Sequence, residues 1–131
     1  MIAYLESSAA AKLLVSEAAS APLADYLDAL AANVSDVMSS ILLETELRRL
    51  AVRDNLPQLG VTALMDRLDI IDLDREVYRE AGLLPGKNLR SLDALHVAAA
   101  LRAGADVMVT YDARQGAAAE ASGLPVVAPG R

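Results

Sequence analysis

The chain contains no cysteine, no phenylalanine and no tryptophan. Without cysteine it has no disulfide, no zinc–thiolate site and no thiol nucleophile. That suits a reducing compartment, and a cytoplasmic protein is expected. Without Phe or Trp the core must be aliphatic, and the plentiful Ala and Leu lean it towards helix. No apolar run approaches the roughly 20 residues needed to span a bilayer, so no membrane association is expected. No basic segment followed by an apolar stretch opens the chain, which argues against a signal peptide. The seven glycines are scattered at turns, so no glycine-rich loop is available to cradle a phosphate.

What is present is a 131-residue chain, long enough for one domain with a real core, taken as residues 1–131. Its formal net charge is −6, which speaks against a simple electrostatic grip on RNA or DNA. Bound divalent cations would change that balance. Two of them would bring −6 + 4 = −2 and would themselves face a phosphate.

The pattern alternates strand and helix. Residues 2–5 read as a buried strand, with Ser7 or Ser8 capping a helix over Ala9–Val15. Ser20 and Pro22 open a helix to about Ala32, and Asp36–Ser39 is a short strand. Ser40 is expected to cap a long helix to about Asn55, stopped by Pro57. A helix over Val61–Arg67 leads into a strand at Leu68–Ile71, and Asp74 caps a helix ending near Gly82. Leu83–Asn88, with Pro85-Gly86, is a loop. Ser91 caps a helix through Ala103, ended by Gly104. Val107–Thr110 is a strand, Asp112 caps a helix to Ser122, and Val126-Val127 is a last strand. Strands alternating with helices predict an α/β fold with a parallel sheet covered on both faces.

Four acids stand where strands hand over to helices or on the helices that follow: Glu6, Glu46, Asp93 and Asp112. Carboxylates far apart in sequence can converge at the carboxyl edge of a parallel sheet. Such a cluster repels itself unless cations bind it, so it points to a divalent metal site. Each acid also has a plainer role. Asp112 is a natural helix N-cap, Asp93 complements a helix dipole, and Glu46 has Arg49 three residues on as an ion-pair partner. Glu6, at the end of a buried strand, needs a partner, a metal or an edge to water. The lone histidine, His96, sits one turn after Asp93 in the apolar run Ala94-Leu95-His96-Val97-Ala98 and reads as a packed or hydrogen-bonded residue. No G-x-S-x-G elbow supports a serine triad. In Ile71-Asp72-Leu73-Asp74, helix capping by Asp74 is favoured over a phosphotransfer motif. Arg48, Arg49 and Arg90 flank the acidic helices and are candidates to meet phosphates.

Taken together these segments resemble the PIN-domain ribonucleases, and in particular the VapC toxins of bacterial toxin–antitoxin pairs. Met1-Ile2-Ala3-Tyr4-Leu5-Glu6-Ser7-Ser8-Ala9 is similar to the family's opening strand and acid. Ser39-Ser40 followed by Thr45-Glu46-Leu47-Arg48-Arg49 is similar to its second acidic helix. Leu89-Arg90-Ser91-Leu92-Asp93-Ala94-Leu95-His96-Val97-Ala98 resembles its most recognisable signature. Val109-Thr110-Tyr111-Asp112, with Gly123-Leu124-Pro125-Val126 and Pro129 behind it, resembles its ending. The likeness runs through essentially the whole chain.

The resemblance implies a three-layer α/β/α sandwich with a central parallel sheet of four to five short strands. It assigns catalytic and metal-holding roles to Glu6, Glu46, Asp93 and Asp112, with Ser7 and Thr110 in support. Glu46 is chosen over Glu44 for its distance from Ser39-Ser40, and the two point about 200° apart on a helix. The implied cofactor is Mg²⁺ or Mn²⁺, and the implied activity is metal-assisted hydrolysis of RNA phosphodiester bonds. A cognate VapB-like antitoxin and a homodimer or toxin–antitoxin hetero-oligomer are the implied partners. One position departs: the family's first acid is usually Asp, and here it is Glu6. The extra methylene moves the carboxylate by about 1.5 Å, which matters to metal geometry. A catalytically impaired PIN-like binding domain is therefore an alternative. A receiver-like phosphoacceptor domain is a further one, set lower because Glu6 has no adjacent acid and no Lys follows Lys87.

Overall fold

The computed structural model describes residues 1–33 and 35–131. Five short strands form one sheet: β1 (Ile2–Leu5), β2 (Asp36–Ser40), β3 (Asp69–Ile71), β4 (Val107–Val109) and β5 (Val126–Val127). They lie in the order β3-β2-β1-β4-β5, and every pairing is parallel. The chain thus starts at the centre of the sheet, builds outward to one edge, then returns to the other side of β1. That return creates a switch point between β1 and β4, the place where a crevice opens beyond the carboxyl ends of the strands.

Among the described residues, seven α-helices cover the sheet. These are α1 (Ser7–Ala10), α2 (Ser20–Ala32), α3 (Leu42–Arg53), α4 (Gln58–Asp66), α5 (Arg75–Gly82), α6 (Ser91–Arg102) and α7 (Ala113–Ala121). None is long and apolar enough to cross a membrane. The strand residues divide by parity, as a two-residue side-chain period requires. Ala3, Leu5, Val107 and Val109 join Leu23, Leu43, Leu47, Val61 and Leu64 in one core. Tyr4 and Met108 face the other way, into a core with Val77, Ala94, Leu95, Val97, Ala98 and Leu124. Two cores on opposite faces of one sheet make the α/β/α sandwich expected from the sequence. Alanine is the commonest residue of the second core, with three in a row at Ala98, Ala99 and Ala100. Small side chains there let α6 pack close to the sheet.

The local chemistry differs from expectation at three helix starts. The first helix begins earlier, at Ser7, and ends in a turn of 3-10 helix over Ala11–Leu13; its cap is Glu6, whose carboxylate accepts from Ser8 N, rather than Ser7 or Ser8. Ser40 is not a cap either. It closes β2 fully buried, and the N-cap position of α3 falls to Ile41, which makes no side-chain cap bond. Ser91 is the first residue of α6, and Arg90 holds the cap position without a side-chain bond. For Ser7, Ser8 and Ser40 the tertiary position of the hydroxyl decided its partner. The caps read at Asp74 and Asp112 are present, accepting from Val77 N and from Arg114 N and Gln115 N respectively. The fourth helix starts at Gln58, directly after Pro57, three residues before the expected Val61.

Candidate active site

The acids gather beyond the carboxyl ends of β1 and β4. Glu6 leaves β1 and is almost wholly buried, at 3% exposure. Its Oε1 accepts from Ser8 N at 2.7 Å, from Thr110 Oγ1 at 3.0 Å and from the Ser8 hydroxyl. All three bonds fall on one oxygen, and Oε2 takes none of them among the described residues. Burial pushes the Glu6 carboxyl up, against the hydroxyl and backbone bonds from Ser8 and Thr110 and the nearby His96, which draw it down.

Thr110, just past β4, organises this corner. Its hydroxyl has one hydrogen and two acceptors in reach, Glu6 Oε1 at 3.0 Å and Gln115 Oε1 at 2.7 Å. It also accepts from Asp112 N at 3.1 Å. Ser8 Oγ accepts from Tyr111 N at 2.9 Å, tying α1 to the segment after β4. Asp112 then caps α7 through Oδ1, 2.9 Å from Arg114 N and 3.0 Å from Gln115 N. Gln115 is fully buried and donates from Nε2 to the Asp93 carbonyl at 3.3 Å, so it bridges the starts of α7 and α6.

Glu46 comes from α3. The expected partner Arg49 is exposed, and the Glu46 carboxylate turns instead to Ser7 Oγ at 2.6 Å and His96 Nε2 at 2.5 Å, both on Oε1. Burial raises this carboxyl, but the bond and charge of His96 and the Ser7 bond outweigh it, leaving Glu46 below the ordinary range. The His96 ring is buried, with Nδ1 2.7 Å from Tyr4 Oη and the two rings edge to face. Tyr4 Oη lies 3.0 Å from Ser40 Oγ. A polar chain therefore runs from Ser40 through Tyr4 and His96 to Glu46 and Ser7. The packed, hydrogen-bonded histidine read from the sequence is what the structure contains, and its partners are the new element.

Asp93 lies on the first turn of α6, one turn before His96. Burial raises its carboxyl first, then the charges of Asp112 and Glu46; His96 and Arg90 pull the other way. Those mutual effects place Asp93, Asp112 and Glu46 in one electrostatic neighbourhood, with Glu6 and His96 also coupled. Among the described residues no group of three or more acid or histidine side chains is already arranged to hold a metal ion. The donors are hard carboxylate oxygens, and the charges of Asp112 and Glu46 raise the Asp93 carboxyl, which fits a divalent cation by type and charge.

The flanking cations divide. Arg90 is exposed beside Asp93, and Arg49 is exposed on α3. Arg48 is held elsewhere, by Glu44 at 2.8 Å, Gln58 at 3.1 Å and Thr62 at 3.2 Å. Tyr4 and Gln115 escaped the sequence reading, and Ser8 and Ser40 entered it as helix caps. A tyrosine inside a buried strand and a histidine inside an apolar helix each need a partner, and that complementary need was the available signal.

The PIN domain family profile matches residues 3–121. Ribonuclease VapC35 of Mycobacterium tuberculosis is 42% identical over 136 residues, covering 98% of this chain and 97% of its own. Among solved structures, VapC20 of Mycobacterium tuberculosis, described as a sarcin–ricin-loop-cleaving toxin, superposes with a TM-score of 0.72 at 17% identity, covering 97% of this chain and 99% of its own. VapBC2 from Rickettsia felis, bound to a DNA fragment from its promoter, gives a TM-score of 0.68 at 20% identity, with 97% and 98% covered. These two share the fold. The matched residues run from β1 into α7 and take in all four acids at the sheet edge, and the chain belongs to the PIN-domain family.

Proposed function

We propose that this chain is a metal-dependent endoribonuclease, the toxin of a toxin–antitoxin pair, that hydrolyses RNA phosphodiester bonds at the carboxyl edge of its sheet. The observation that carries the reading is the buried Glu6 at the end of β1, together with the Asp112 and Glu46 charges that raise the Asp93 carboxyl. The name ribonuclease borne by a relative 42% identical over nearly the whole chain supports RNA as the substrate. The likeness to VapBC2 supports a VapB-like antitoxin as partner, in a homodimer or a toxin–antitoxin hetero-oligomer.

Glu6, Glu46, Asp93 and Asp112 would hold Mg²⁺ or Mn²⁺. When bound, such an ion supplies Lewis acidity, generating hydroxide from water and neutralising charge on the phosphate. Ser7 and Thr110 hold the Glu46 and Glu6 carboxylates. Arg49 and Arg90, exposed on the flanking helices, are placed to meet phosphates. No side-chain nucleophile is required.

The three bonds on Glu6 Oε1 and its raised carboxyl favour one second reading, a PIN-like domain that binds partners with impaired catalysis. Purified, partner-free protein incubated with total bacterial RNA and Mg²⁺, Mn²⁺ or a chelator separates the two. Metal-dependent cleavage that Asp93→Asn abolishes is expected. A folded protein inert with both metals would overturn the nuclease reading in favour of the impaired domain.

A further inference from the structure

We infer that His96 is a positioning residue for Glu46, itself fixed by Tyr4, so that Glu46 is oriented before any ion arrives. The inference rests on the reading of Glu46 as a metal ligand. The ring has no solvent exposure; Nδ1 faces Tyr4 Oη at 2.7 Å, and Nε2 faces Glu46 Oε1 at 2.5 Å, with Ser7 Oγ farther off at 3.2 Å. An ionised carboxylate only accepts hydrogen bonds. Two lone pairs cannot face each other at that separation, so Nε2 carries a hydrogen and donates it to Glu46. Tyr4 Oη, 2.7 Å from Nδ1, has Ser40 Oγ at 3.0 Å as its other hydrogen-bond partner.

The consequence falls on Glu46. Its Oε1 takes two donors, His96 Nε2 and Ser7 Oγ at 2.6 Å, while Oε2 takes neither. The carboxylate is thereby anchored by one oxygen, and the side chain as a whole stays 25% exposed. A glutamate on a helix surface otherwise samples many rotamers, and ordering it in advance removes an entropic cost from ion binding. The same ring ties together three elements that supply acids or their supports: β1 through Tyr4, α3 through Glu46, and α6, which also carries Asp93.

The chain has a single histidine, so its imidazole signals need no assignment. In the long-range ¹H–¹⁵N spectrum of the metal-free full-length protein, Nε2 is expected to be protonated. Tyr4→Phe should move the Nδ1 signal and leave the Nε2 proton in place. An unprotonated Nε2 overturns the inference without any variant being made. Mn²⁺ titration by calorimetry supplies the second arm, with circular dichroism melts to confirm folding. His96→Asn keeps a partner for Tyr4 but cannot reach Glu46, and should weaken Mn²⁺ binding about 10- to 100-fold, the range for lost outer-shell support. His96→Gln restores a donor to Glu46 and should recover most of that loss. If folded His96→Asn binds Mn²⁺ as tightly as the parent while Glu46→Gln loses it, His96 only fills space and the metal reading stands. If the parent protein binds neither Mn²⁺ nor Mg²⁺, both readings fail together.

Discussion

Thr110 and Gln115 share a hydrogen bond of 2.7 Å across the start of α7, and Gln115 reaches on to the Asp93 carbonyl at 3.3 Å. One buried amide therefore couples the strand end behind Asp112 to the helix that carries Asp93. Gln115→Leu keeps the volume but leaves the Thr110 hydroxyl to Glu6 alone. It should cost about 1–2 kcal/mol, the net worth of the one or two hydrogen bonds lost, read as a lower urea midpoint.

Asp112 caps α7, and the proposed function gives it a second task that substitution can separate. Its Oδ1 caps α7 through Arg114 N and Gln115 N. Asp112→Asn keeps a capping oxygen and should leave stability within about 0.5 kcal/mol, whereas Asp112→Ala should lose about 1 kcal/mol. Both should abolish RNA cleavage. Equal stability losses in the two variants would remove the cap from the account.

Glu6 is held above the ordinary carboxylate range mainly by burial, so the folded protein binds its proton more tightly than the unfolded chain does. The stability of the metal-free protein should then fall as pH rises from the ordinary glutamate value of about 4.3 through the raised value, and level off above it. Glu46 acts in the opposite sense: its lowered carboxyl adds stability above the ordinary range that is lost as pH falls through its own pKa. Glu6→Gln removes the cost of burying a charge. It should raise the melting temperature at pH 7 by about 2–6 °C, with the gain vanishing below pH 4, while Mn²⁺ binding disappears. Thermal melts of both proteins across pH, without metal, check the sign.

Arg48 and Arg90 should part company in RNA binding. Arg48 already has Glu44, Gln58 and Thr62 as partners, and Arg48→Ala should leave cleavage unchanged. Arg90 is exposed next to Asp93, and Arg90→Ala should weaken RNA binding and reduce its salt slope by about 0.7–1, one phosphate contact. Binding measured on Asp93→Asn at several salt concentrations distinguishes the two.

Much of this molecule was written in local sequence. Alternating strand and helix signals, with buried short strands, specified a parallel sheet covered on both faces, because hydrophobic period and turn chemistry are properties of neighbouring residues. The caps at Asp74 and Asp112 were equally legible, since an N-cap bond spans only two or three positions. Glu6 stood out because a carboxylate at the end of a buried strand is costly without a reason to be there, and the family resemblance singled out Glu46, Asp93 and Asp112 beside it. Tertiary structure alone decided which partners the polar side chains chose. Ser40 looked like a cap and became a buried neighbour of Tyr4, and Glu46 looked like a partner for Arg49 and turned to His96. Those choices depend on strand order β2-β1-β4, which brings residues 36, 89 and 104 positions apart within hydrogen-bond distance. A buried polar group takes whatever donor or acceptor the packing delivers to it, and no local pattern in the chain records that delivery.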